Sequence, residues 1–274
     1  TLAGMDLDSP LRSLAPSLDS AVLEVLAATE SSMGVGQIAK LAKRGTRQGL
    51  ALALDRLVEH GVVDAQAANR GYLYRLNREH VLADAVLSSS RARATILARL
   101  EDAARALDPQ PTHLSVFGSF ARREAGPGSD IDLLFVLPEG VEPDGRWDQQ
   151  LRDLGDRVLA WTGNRMEYLV FTTEELRDVI ARREPVVDSW VKDSVTVLGV
   201  PIESLVRSGD GRPQGPVVSP KKLPTRGAGR AEAAGRRRVA EKYLEVVEIA
   251  AQEDGAAINV TVGIAVLAGI AAGD

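Results

Sequence analysis

Two aspartates, Asp130 and Asp132, stand where the chain passes from a Gly126-Pro127-Gly128-Ser129 turn into the apolar run Ile131-Asp132-Leu133-Leu134-Phe135. Residues i and i+2 of a strand share a face, so both carboxylates project together while Ile131 and Leu133 turn to the core. Parallel carboxylates at one strand end repel unless a cation sits between them, and hard oxygen ligands suit Mg²⁺ or Mn²⁺. Shortly before lies Val116-Phe117-Gly118-Ser119-Phe120-Ala121-Arg122, a strand delivered into a Gly-Ser turn that opens a short helix. Gly118 has no side chain, so the backbone can approach a phosphate closely. N–H groups at the helix start and the Ser119 hydroxyl can then bind phosphate oxygens. A carboxylate pair beside a phosphate cradle is the arrangement for metal-assisted nucleotidyl transfer: one ion activates the attacking hydroxyl and the other neutralises the triphosphate. A plain hairpin carrying two solvated aspartates is the bland alternative, and it leaves Gly118-Ser119 unexplained.

These residues need a sheet to carry them. From Thr112 the apolar period becomes that of a strand and then alternates. The pattern predicts strand 112–117, strand 131–137, helix 146–162, strand 165–172 and helix 173–183, an α/β or α+β arrangement. Upstream, a mixed Pro-containing arm of seventeen residues precedes helical spacing over 18–28, capped at Ser17 or Asp19. A short helix over 35–42 places Ile38 and Leu41 inward. A third helix over 47–59 starts at the cap residue Thr46, buries Leu50, Leu54 and Leu57, and stops at Gly61. Two β-like runs, 62–66 and 72–76, flank hairpin chemistry at Ala67-Ala68-Asn69-Arg70-Gly71. One long connector helix is expected over 80–107, ending at Asp108-Pro109.

The segment from Gly118-Ser119 through Ala121-Arg122 and the Gly-containing turn to Ser129-Asp130-Ile131-Asp132-Leu133 resembles the DNA polymerase beta-like nucleotidyltransferase superfamily, specifically its minimal nucleotidyltransferase branch. The resemblance covers about 112–205. It implies NTP, with ATP the expected one, and Mg²⁺ or Mn²⁺ as cofactor. The acceptor it implies is a protein, an RNA end or a small molecule, which nothing in the sequence selects. It also implies a third carboxylate on a neighbouring strand, for which Glu167 in Arg165-Met166-Glu167-Tyr168-Leu169 is the candidate. The branch more usually has Asp there, and the longer Glu could instead be an edge-strand acid facing solvent or Arg165. Gly118, Ser119, Arg122 and Ser129 are the candidate nucleotide-binding residues; Asp130, Asp132 and Glu167 are the candidate catalytic and metal-binding ones. Arg122 could equally form an ion pair with Asp130. Trp161, Trp190 and Tyr168 read as packing residues rather than base-stacking platforms.

Three helices followed by a hairpin, with Leu54-x-x-Leu57-Val58-x-x-Gly61-Val62-Val63 and Tyr74-Arg75-Leu76-Asn77, resemble bacterial winged helix-turn-helix regulators. Residues 31–80 carry eight Lys/Arg against four Asp/Glu, in a chain of net charge −5. Arg44, Thr46, Arg47 and Gln48 lie at the start of the third helix, where a recognition helix would meet the major groove, and Arg70 lies at the wing tip. DNA is the expected partner; a protein-interaction or dimerisation role, or RNA, are the alternatives.

Residues 209–229, rich in Pro and Gly with Lys221, Lys222 and Arg226, read as a linker. Residues 230–274 read as a charged helix and an apolar one over 256–272, similar to the start of a HEPN-like helical domain but lacking its Arg-x-x-x-x-His motif. The apolar run falls short of about 20 spanning residues, and its abrupt end suggests a truncated chain. The expected fold class is α+β and multi-domain: a winged helix-turn-helix (15–80), a connector helix (81–108), a nucleotidyltransferase mixed sheet with flanking helices (109–208), a linker (209–229) and C-terminal helices (230–274).

Composition narrows the chemistry. With no cysteine, disulfides, thiolate catalysis and Cys-ligated zinc are excluded. Three scattered histidines, His60, His80 and His113, argue against a His-based metal site. The negative net charge argues against nonspecific coating of nucleic acid without excluding a local basic face. No signal peptide is read at the N-terminus, no membrane contact is expected, and a cytoplasmic location is the default. A homodimer is the expected assembly for a palindrome-reading module.

Overall fold

The computed structural model describes residues 4–69, 71–182 and 185–209. Arg70, the linker and the C-terminal helices expected over 230–274 lie outside the described residues. Two compact units divide the chain, one of residues up to 177 with 191–207, the other of 178–190 with residues from 208 onward.

The first unit begins with an arm that is more than irregular coil. It forms the short helix α1 (Pro10–Leu14) and is anchored by its side chains. Asp6 accepts the Ser9 N–H at 2.9 Å and pairs with Arg12. Helices α2 (Leu18–Ala27), α3 (Val35–Leu41) and α4 (Arg47–Glu59) follow, with the two-residue strand β1 (Met33–Gly34) before α3. Their starts obey local capping chemistry. Ser17 accepts the Asp19 N–H at 3.2 Å, and Thr46 accepts the Gly49 N–H at 3.1 Å. Strands β2 (Val63–Ala68) and β3 (Gly71–Leu76) form an antiparallel hairpin in register from Val63↔Leu76 to Ala68↔Gly71, and β1 pairs on the far side of β3. Val22, Leu26, Ile38, Leu50, Leu54 and Val63 form a buried core under these elements. Leu41 does not join them: it is 57% exposed, because α3 is only two turns long and one inward residue, Ile38, suffices to seal it.

The single connector helix expected from the sequence is two helices, α5 (Ala83–Ser90) and α6 (Ala92–Arg105), broken at Arg91. The cause is local. The Ser88-Ser89-Ser90 run competes for helix carbonyls, Ser89 Oγ donating to Ala85 O at 2.7 Å and Ser90 Oγ to Leu87 O at 2.8 Å. The break also marks a change of core. Val86 of α5 packs among the N-terminal residues, whereas Ile96, Leu100, Ala103 and Ala104 of α6 pack into the second core.

That second core lies under a four-stranded mixed sheet of order β6-β5-β4-β7. Strand β4 (His113–Phe117) leads into α7 (Gly118–Arg122), and β5 (Ile131–Leu137) returns antiparallel to β4. Helix α8 (Gly145–Thr162), capped by Asp144 and stopped at Gly163, crosses over to β6 (Met166–Thr172), which runs parallel to β5. Helices α9 (Thr173–Ala181) and α10 (Pro185–Asp193) follow, then β7 (Val195–Gly199), antiparallel to β4, and α11 (Ile202–Gly209). The last strand and helix were not expected from the sequence, although Val195-Thr196-Val197 alternates in the strand period. Leu114, Val116, Ile131, Leu133 and Phe135 turn inward with Leu151, Leu154 and Val158 of α8, and Trp147 meets Phe135 edge-on at 6.2 Å.

Leu7 of the arm is buried in this same core, while Leu11, four residues on, is buried in the N-terminal one. The Met5 N–H donates to Thr162 O and the Asp8 N–H to Ala125 O. No helix among the described residues is long and apolar enough to cross a membrane. In the second unit, 178–182 and 185–190 are largely helical, at the end of α9 and in α10.

Candidate active site

The site is built on the ends of three neighbouring strands and the turn that leaves one of them. β4 ends at Phe117, paired in register with Asp132 of β5, and Asp132 is paired in turn with Glu167 of β6. Registered neighbours share a sheet face, so Asp132 and Glu167 stand side by side, with Asp130 just ahead of β5. Ile131 and Leu133 are fully buried on the other face. Asp132 and Glu167 thus share a face, while Ile131 and Leu133 turn to the core as the spacing predicts.

Gly118 leaves β4 with φ +66°, a left-handed conformation natural only to glycine. A Cβ there would lie 2.0 Å from Asp132 Oδ2, so the carboxylate rests directly against the Gly118 backbone. This close approach explains the glycine better than the turn alone does. The five-residue α7 closes on Arg123, which adopts φ 61°, ψ 42°, and the Glu124 N–H returns to Ser119 O at 2.9 Å. Left-handed backbone at a non-glycine residue costs on the order of 1 kcal/mol and is here held by its surroundings: the Arg123 carbonyl accepts from Lys43 Nζ at 3.4 Å. The Ser119 side chain is half-buried beside this turn.

Ser129, expected to touch nucleotide, has a structural task. Its hydroxyl accepts the Gly126 N–H at 3.0 Å and closes the turn ahead of Asp130, while Asn164 Nδ2 donates to Ser129 O at 2.9 Å and to Met5 O at 3.2 Å. Asn164 was not legible from sequence; it follows the α8 stop at Gly163 and looks like loop. Arg122 pairs with Glu124 at 2.8 Å. Glu167 and Tyr168 are exposed on β6, Trp190 is buried, and Trp161 lies at the edge of the core beneath the guanidinium groups of Arg99 and Arg157.

Electrostatics single out Asp132. Burial, then the neighbouring Asp130, then Glu167 push its carboxyl up to about 7 from an ordinary 3.8, with Arg122 pulling the other way. Among the described residues, no three acid or histidine side chains converge closely enough as placed to form a metal cluster. The donor set nevertheless fits a hard divalent cation: it is all carboxylate oxygen, and a cation there would offset the mutual repulsion that raises the proton affinity of Asp132.

The comparisons with known proteins fall on this region. Residues 97–192 match the family model described as nucleotidyltransferase domain. The match takes in the Gly118 turn, all three acids and α6 from its second turn onward. No curated protein matches the chain. Among solved structures, one of a candidate nucleotidyltransferase from Sulfolobus solfataricus is 23% identical, covering 39% of this chain and 82% of that one, with a TM-score of 0.23. A score that low is no evidence of a shared fold.

The candidate DNA contacts divide. Arg47 and Gln48 are exposed at the start of α4. Thr46 is spent on the α4 cap, and Arg44 donates to Ser20 Oγ and to Ser17 O at 3.5 Å, tying the turn to α2.

Proposed function

We propose that the nucleotidyltransferase domain transfers a nucleoside monophosphate from an NTP to an acceptor hydroxyl, with Asp130, Asp132 and Glu167 as its carboxylates. The observation that carries this reading is the seating of Asp132 against the Gly118 backbone with Glu167 beside it in register, all inside the span matched by the family. Bound by these three carboxylates, a divalent cation, Mg²⁺ or Mn²⁺, would neutralise triphosphate charge and make an attacking hydroxyl more acidic. The protein's own contribution is positional. Gly118 lets the chain approach a phosphate without a side chain in the way, and the Ser119 hydroxyl would donate to a phosphate oxygen. ATP is the expected donor; protein, RNA ends and small molecules are the acceptor classes in view.

The test is transfer of label from each α-labelled NTP to a cell lysate in Mg²⁺ or Mn²⁺. Wild type should label an acceptor, and Asp130→Ala/Asp132→Ala should not. Absence of label with every NTP would exclude the reaction.

The N-terminal elements support a second activity. Helices α2, α3 and α4 with the β2–β3 hairpin follow the element order of a winged helix-turn-helix, and Arg47 and Gln48 are free to face a groove. We read this module as DNA-binding, in a protein that pairs recognition with transfer, as toxin–antitoxin or defence systems do. A regulator whose nucleotidyltransferase fold only senses nucleotide is the competing account, and turnover lost in Asp132→Ala separates the two.

A further inference from the structure

Helix α7 is five residues long, too short to hold its own position. Its last turn is gripped from outside. Arg93 of α6 lies over the Phe120 ring, 4.3 Å from the centroid, and its two terminal nitrogens donate to consecutive carbonyls, Nη1 to Phe120 O and Nη2 to Ala121 O at 3.3 Å. This guanidinium is half-buried, which disfavours its charge, and Arg123 nearby disfavours it further. Desolvating a cation is costly, and here the direct contacts that offset it are two carbonyls and a ring, all belonging to α7, with the Asp8 carboxylate adding a weaker favourable interaction.

From this geometry we infer that Arg93 is a positioning residue for nucleotidyl transfer. The inference rests on the function proposed above. Phe120 is two residues after Gly118, and Gly118 touches Asp132 through a contact with no slack. A fork bound to two successive carbonyls fixes both the translation and the rotation of α7, so it sets where Gly118 and Ser119 stand relative to Asp132. A single-point donor such as lysine fixes one and not the other.

The test uses the full chain with Arg93→Met and Arg93→Lys. Hydrogen exchange should quicken about tenfold in the segment 117–124 of Arg93→Met, with the α6 amides unchanged. In steady-state transfer, kcat should fall by up to about 100-fold, the scale of a 1 Å misplacement, while the NTP KM changes by less than about threefold. Arg93→Lys should recover part of the lost kcat, and it carries the test if Arg93→Met does not fold. A lowered melting temperature with kcat intact, or exchange that quickens equally in α6 and β4, would reduce Arg93 to a packing role and overturn the inference; so would unaltered exchange in 117–124. If wild type transfers no nucleotide, the functional reading fails by itself, and the exchange experiment alone then decides whether Arg93 places α7.

Discussion

At the scale of single residues, the contact between Gly118 and Asp132 sets two opposing demands. A methyl group at Gly118 would meet the carboxylate at 2.0 Å, and φ +66° is disfavoured for any other residue. Gly118→Ala is therefore expected to cost about 1–2 kcal/mol for the left-handed backbone alone, with the clash displacing Asp132 in addition. Thermal melts should show the loss, and transfer should be abolished even where the fold survives. Asp132 itself destabilises the protein that surrounds it. The unfolded chain releases this proton near 3.8, whereas the folded chain holds it to about 7. Between those values the folded state binds more protons, so stability falls as pH rises through the window. Asp132→Asn removes that dependence. Melts in EDTA should find the variant about 2–4 kcal/mol more stable than wild type at pH 7.5, and equal to it below pH 4. Equal stability at both pH values would show that the carboxyl is not perturbed. The same substitution is expected to end catalysis, so the site exchanges stability for function.

At the scale of elements, what the sequence made legible followed from strong local rules. The strand that follows Asp130 and carries Asp132 was visible because an apolar run sets in behind the first acid and is interrupted by the second two residues on. Helices α2 and α4 announced themselves through Ser17 and Thr46 and through their apolar faces. The break at Arg91 was hidden because serines are tolerated in helices, and only the change of core beneath the chain gives their back-bonding an effect. β7 was hidden for a different reason: it is only five residues long, and its pairing with β4 is set by tertiary contact, with a bulge at Leu114/Ser115. The roles of Arg93 and Asn164 have no local signature, since each acts on residues far away in sequence. The start of α4 carries the prediction proper to this scale. Arg47→Ala should weaken binding to DNA upstream of the gene and lower its salt slope by about one unit per lost phosphate contact. Arg44→Ala should instead lower the melting temperature, because Arg44 ties the turn to α2. A band-shift titration at several salt concentrations, with Arg47→Ala indistinguishable from wild type, would remove α4 as a recognition helix.

At the scale of the whole molecule, the arm matters more than its length suggests. Leu7 is 1% exposed within the core beneath the four-stranded sheet, so Leu7→Ala should cost about 2–4 kcal/mol, as for a central leucine of α6. Denaturant unfolding of the variant measures this, and a cost below about 0.5 kcal/mol would show that the arm merely lies on the surface. The arm's backbone also closes the loop before Asp130 through Asp8 and Ala125. A stretch of gene encoding only the sheet and its helices, copied into another reading frame, would arrive without Leu7 and without the strand-end latch beside the acids. Recombination that moves the matched region alone is thereby expected to be penalised, because the copy would lose part of its core.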